Sequence, residues 1–213
     1  AFFEEMEKSV ENLSIVAEDL GIITNEVEKL RDDCGYPGMK VLHFCLNFNE
    51  MRRVGIAVPE NSIVYTGTHD NAPLMEWIRS QNEGTRLFML RYQGSEHTPE
   101  QDLYWDCIRT VLASVADTVI IPMWDYLGCG KEARINVPSA AGGNWQWRMP
   151  RHSFTEHLIW HCRMLAEIYG REPKPVPVPT EIEAALAEAK AATKAEESAV
   201  SAATKSEETA ELH

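Results

Sequence analysis

The chain has 213 residues, 44% of them hydrophobic, with 33 Asp and Glu against 20 Lys and Arg, for a formal net charge of −13. That apolar content builds a real core in one or two domains, and the acidic balance excludes nucleic acid, whose phosphates need a basic face. No stretch approaches the roughly 20 apolar residues of a membrane span.

The opening residues lack the basic and apolar regions of a signal peptide. Five scattered cysteines without a Cys-x-x-Cys motif read as reduced thiols, which makes the cytoplasm the expected compartment. Residues 2–12 predict an amphipathic helix with Phe2, Phe3, Met6 and Val10 on one side. The run 13–17 then reads as a buried strand delivering Glu18-Asp19. Thr24 is placed to cap a helix to about residue 34, which Gly35 and Pro37 terminate. A second strand is expected over 39–46 and a third over 62–68, the latter delivering Gly67-Thr68-His69-Asp70-Asn71. Pro73 opens a helix to about residue 81. Thr98-Pro99-Glu100-Gln101 is a capping box with Pro in the first turn, opening a helix to about 116. A fourth strand is expected over 118–124, and Ser153-Phe154-Thr155-Glu156 is a second capping box for a helix to about 169.

From Glu172 the composition changes. Pro173, Pro175, Pro177 and Pro179 alternate with other residues as in an extended linker. Residues 180–213 hold eight Glu against three Lys and few apolar groups, which reads as a partly helical or disordered tail. The predicted organisation is therefore residues 1–172 as one α/β unit and 173–213 as linker and tail. Parallel-type strands alternating with helices indicate right-handed crossovers. A closed barrel needs eight strands and about 250 residues, so four strands predict the C-terminal half of a (β/α)₈ TIM-type barrel. The alternative is a complete small open-sheet domain.

Acids that close two apolar strands, brought to one mouth, are the parts of a glycosidic-bond enzyme. The same acids can instead cap the following helix or pair with a base. A retaining enzyme needs one carboxylic acid kept protonated by burial or a like charge; Glu18, beside Asp19, has both available from its sequence context. His69 beside Asp70 is suited to a sugar hydroxyl. Trp145 and Trp147, with Arg134, Asn136, Asn144 and Arg148, make the loop 126–150 a candidate sugar-facing wall; alternatively the two Trp anchor the loop and Arg148 pairs an acid. His157 and His161 stand one helical turn apart without an evident third ligand, so no metal is expected. The glycines form neither a dinucleotide fingerprint nor a P-loop, and no cofactor is implied.

The segments Ala17-Glu18-Asp19-Leu20-Gly21, Pro37-Gly38-Met39-Lys40-Val41-Leu42 and Tyr65-Thr66-Gly67-Thr68-His69-Asp70-Asn71 resemble the 4-α-glucanotransferases (amylomaltases, disproportionating enzymes). Gly130 to Pro138 and Gly143 to Arg148 look like later segments of the same family. The resemblance, over residues 1 to about 170, implies retaining transfer of an α-1,4-glucan or maltooligosaccharide segment to a sugar acceptor. Glu18 would be the general acid/base and Asp70 the carboxylate that stabilises the distorted sugar, both catalytic. His69, Asp19, Asn71, Asn136, Asn144 and Trp145 would contact substrate. The family's nucleophile lies in an Arg-x-Asp-His-type segment that this sequence does not contain, so the chain alone is expected to form no covalent glycosyl intermediate. Departures from the pattern are Trp124 before Asp125, Ser139-Ala140 after the proline, and His43 where Gln is common. A glucan hydrolase and a non-catalytic, weakly glucan-binding remnant are the alternatives.

Overall fold

The structure is a computed structural model that describes residues 2–10, 14–46 and 58–172; the expected linker and tail lie outside the described residues. The described elements are α1 (Phe2–Ser9), α2 (Asn25–Asp33), β1 (Gly38–Val41), α3 (Leu42–Cys45), β2 (Ser62–Tyr65), α4 (Leu74–Ser80), α5 (Glu83–Gln93), α6 (Leu103–Leu112), β3 (Thr118–Ile120), α7 (Met123–Tyr126) and α8 (Glu156–Ile168). The chain through Arg171 makes one compact unit.

Among the described residues the sheet has three parallel strands in the order β1-β2-β3, not four. The expected strand over 13–17 contributes a single parallel bridge, Ala17 to Gly38. Its ladder stops there because Asp19 intervenes. The Asp19 carboxylate accepts the Met39 N–H at 2.6 Å, and the Ala17 carbonyl accepts from Asp19 N at 3.1 Å. The run expected to be a strand over 39–46 turns helical after Val41, so that Leu42 and Leu46, one turn apart, both reach the core. The fourth expected strand stops at Ile120, before Pro122 opens α7.

Register fixes the two faces of the sheet. Lys40, Val64 and Val119 stand side by side on one face, Met39, Ile63 and Thr118 on the other. The first face is covered by α4, α5, α6 and α8, whose Leu74, Met75, Ile78, Met89, Ile108 and Leu165 form the core with Val64. On the second face Val16 and Ile120 are exposed.

Both predicted capping boxes differ from what forms. Pro99, not Thr98, precedes a 3₁₀ turn over Glu100–Asp102, and α6 begins only at Leu103. Glu100 is drawn instead to Arg79 and Arg86. Ser153 Oγ donates to the Pro150 carbonyl at 2.8 Å, leaving Thr155 to cap α8 by accepting from Leu158 N. Thr24 occupies the cap position of α2 but its side chain makes no cap bond. Helix α5, which the sequence reading passed over, has its own punctuation: Asn82 accepts from Thr85 N, and Gly94 ends it in the left-handed region at φ 68°.

Candidate active site

Glu18 follows the Ala17 bridge directly, which sets it beside Met39 on the face of the sheet away from the helical core. The turn after β2 carries Gly67 to Asn71. Glu18, Leu20, Met39, Phe44, Thr68, His69, Asp70 and Asn71 line one cleft of about 290 Å³. A second cleft of about 500 Å³ shares Glu18, Met39, Thr68 and His69 with it and continues to Tyr65, Ile120 and Trp124. Glu18 and Asp70, from separate strand units, therefore face common space. Burial and the nearby Glu18 carboxylate push the Tyr65 hydroxyl up.

The turn is held from behind. Asn71 Oδ1 accepts from both Thr68 N at 2.8 Å and Thr68 Oγ1 at 2.9 Å. Below it, Thr66 donates to the buried Asp125, which also accepts from Leu74 N at the start of α4. Burial pushes the Asp125 carboxyl up to about 6. His43 lies against Gly67, where a Cβ would come within 3.2 Å of its ring. That ring stacks on Trp77 at 4.6 Å, and burial pushes its pKa down to about 3.

In front, His69 Nε2 lies 3.4 Å from Asp70 Oδ2, and Asn136 donates to Asp70 Oδ1 at 2.5 Å. The Trp145 ring packs against His69 with centroids 5.3 Å apart. Trp145 is one of three described non-glycine residues at positive φ, 64°, a conformation that costs an L-residue about 1 kcal/mol or more. His69, Asp70, Asn136 and Trp145 are thus linked by contacts, and of the four His69 and Asp70 line the cleft.

The remaining expected site residues are used elsewhere. Asp19 does not line the cleft: its side chain is 4% exposed and pairs with Arg31 at 2.6 Å. It therefore does not supply the uncompensated like charge that the sequence context suggested for Glu18, and Glu18 itself is exposed, not half-buried. Asn71 lines the cleft but commits its carbonyl oxygen to Thr68. Asn144 spends its amide on Val137 and Ala140, stapling its own loop. Trp147 packs edge-on to Trp124, and Arg148 donates to the Trp145 and Trp147 carbonyls, not to an acid. His161 stacks on Trp105 at 3.9 Å, and no group of three or more metal-ligating side chains occurs among the described residues. No described helix is long and apolar enough to cross a membrane.

Sequence reasoning missed Asp125 as the brace beneath the turn, although the signal was present: it too closes an apolar run. It also missed Tyr65 and Ile120 as cleft residues, which only the register reveals.

A family model described as 4-alpha-glucanotransferase matches residues 1–154. The 4-alpha-glucanotransferase of Synechocystis sp. is 40% identical over 176 residues, covering 80% of this chain and 34% of that protein. A chloroplastic/amyloplastic 4-alpha-glucanotransferase of Arabidopsis thaliana is 35% identical, over 80% of this chain and 30% of the relative. Among solved structures, amylomaltase from Streptococcus agalactiae in complex with acarbose superposes with a TM-score of 0.74 at 31% identity, covering 80% of this chain and 34% of that one. The chain spans about a third of the length of these relatives.

Proposed function

The chain belongs to the 4-alpha-glucanotransferase family, and on that premise we propose that it supplies the acid/base half of a retaining glucan-transfer site. In this reading the fold is the C-terminal half of a (β/α)₈ barrel, with the catalytic part ending near residue 172 and a linker and tail beyond. One face of the parallel sheet is clothed in helices, and the cleft lies along the other, where Val16 and Ile120 are exposed.

The carrying observation is that Glu18 and Asp70 line one cleft. Glu18 protonates the glycosidic oxygen as the C–O bond breaks, and later takes the proton of the acceptor hydroxyl that attacks the glycosyl carbon. Asp70, oriented by Asn136 and His69, grips hydroxyls of the distorted sugar and so favours the transition state over the ground state. Trp145 offers a ring face beside them. The nucleophile comes from outside this sequence. The substrate is an α-1,4-glucan or maltooligosaccharide and the acceptor a sugar; acarbose on the Streptococcus agalactiae enzyme is a ligand of that chemistry. The free state of all five cysteines favours a reducing compartment such as the cytoplasm.

The test is a chimera in which residues 1–154 replace the matching segment of the Streptococcus agalactiae enzyme, assayed for disproportionation of maltotriose into glucose and longer chains. Glu18→Gln is expected to lower kcat by about 10³-fold or more with KM little changed, in line with the loss of a general acid/base. Asp70→Asn should likewise act on kcat more than on KM. Activity of the Glu18→Gln chimera within tenfold of its parent would overturn the assignment.

A further inference from the structure

A separate groove lies away from this cleft. It has a volume of about 520 Å³ and runs over the outward stripe of α6, with Asp106, Arg109, Thr110 and Ala113 at successive helical steps. Tyr92 and Gln93 at the end of α5 wall one side, and Tyr169 after α8 also borders it. Because α6 ends at Leu112 and β3 begins at Thr118, this groove reaches the sheet edge where strands start, whereas the cleft lies where β2 ends.

Two charged side chains on this stripe have no ionic or hydrogen-bond partner for their charged ends among the described residues. Asp106 Oδ2 is buried without a hydrogen-bond partner among the described residues. Arg109, three residues on, pairs with no carboxylate among them. Gln93 and Thr110 bond to one another at 3.0 Å and hold the floor between them. Tyr92 is 48% exposed and presents its ring at the rim. Asp106 and Arg109 both line the groove, so a ligand seated there meets an acceptor group and a donor group one helical step apart.

We propose that this groove is a second carbohydrate site, taking a neutral polyhydroxylated chain such as a glucan segment. An anionic ligand would be repelled by Asp106 and a cationic one by Arg109. Each sugar unit instead brings hydroxyls that donate to the carboxylate and accept from the guanidinium, plus an apolar ring face for tyrosine. The volume lies within the range of ligand pockets, about 300–1,000 Å³. The choice of ligand rests on the glucan reading above; the location does not.

Maltoheptaose titrated into the full chain and followed by backbone amide NMR tests both sites separately. Signals of Gln93, Thr110 and Ser114 are expected to shift, with Tyr92→Ala and Arg109→Gln each weakening that response at least fivefold while the spectrum stays dispersed. Glu18→Gln and Asp70→Asn should leave it unchanged. Shifts confined to Gly67–Asn71 would overturn the groove and leave the cleft standing. Shifts confined to the groove would sustain this proposal and count against the cleft. No shift at the groove, shifts lost with Asp70→Asn, or a stronger response there to inorganic phosphate or putrescine would each overturn it.

Discussion

Asp125 shows how a single buried acid ties the site turn to the fold. It is 1% exposed, accepts from Thr66 at the end of β2 and from the first N–H of α4, and so fixes both ends of the segment that carries His69 and Asp70. Burial raises its pKa to about 6, above the unfolded value of about 3.9, so its ionised form is held less well by the folded than by the unfolded chain. The contribution of this group to stability is then fully present below about pH 4 and is lost as pH rises through 6. Asp125→Asn removes the titration. The stability of the parent relative to that variant, measured by urea unfolding, should therefore fall by about 2–3 kcal/mol between pH 4 and pH 7.5. A pH-independent difference between the two proteins would contradict the assignment.

Helix α8 depends on a contact that no local pattern announces. Arg171, beyond its C-terminus, donates to the carbonyls of Leu112, Ser114 and Ala116. It thereby satisfies carbonyl groups at the end of α6, which a helix terminus leaves without internal partners. Arg171→Ala should destabilise the unit by about 2–3 kcal/mol in urea unfolding. Arg171→Lys should recover less than half of that, because a point charge cannot fork to three acceptors; full recovery by lysine would show that charge alone matters. The same distinction between local and distant causes explains what the sequence could tell. Strands β1 to β3 were legible because parallel strands are apolar runs bounded by turn residues. Their ends were not: Val41-Leu42-His43-Phe44-Cys45-Leu46 is one apolar run of residues, and only packing decides that it becomes helix after Val41. Thr98 and Ser153 had the composition of caps, but Ser153 has a nearer carbonyl and Glu100 has two arginines. At the site, Glu18 and Asp70 were visible as acids closing strand runs. Asp19, another acid, and the amides Asn71 and Asn144 are equally able to bind a sugar hydroxyl, but register and turn geometry aim them at Arg31, Thr68 and their own loop.

Exposed apolar side chains on one side of the sheet stand against a strong net charge. Val16 and Ile120 are exposed on the side of the sheet away from the helical core, next to Trp124 in the larger cleft. A sheet face of this kind favours association. The formal charge of −13 opposes it, since every copy repels its neighbours. That repulsion is screened over a Debye length that shrinks from about 30 Å at 0.01 M salt to about 3 Å at 1 M, while the apolar attraction survives. The two terms therefore separate with salt. Sedimentation velocity should show the chain monomeric at low ionic strength and associating as sodium chloride approaches 1 M. Ile120→Thr combined with Val16→Thr should suppress the high-salt association, because it removes attraction and leaves the charge untouched. Association that is already complete at low salt, or that ignores the double substitution, would place the sticking surface elsewhere on the molecule.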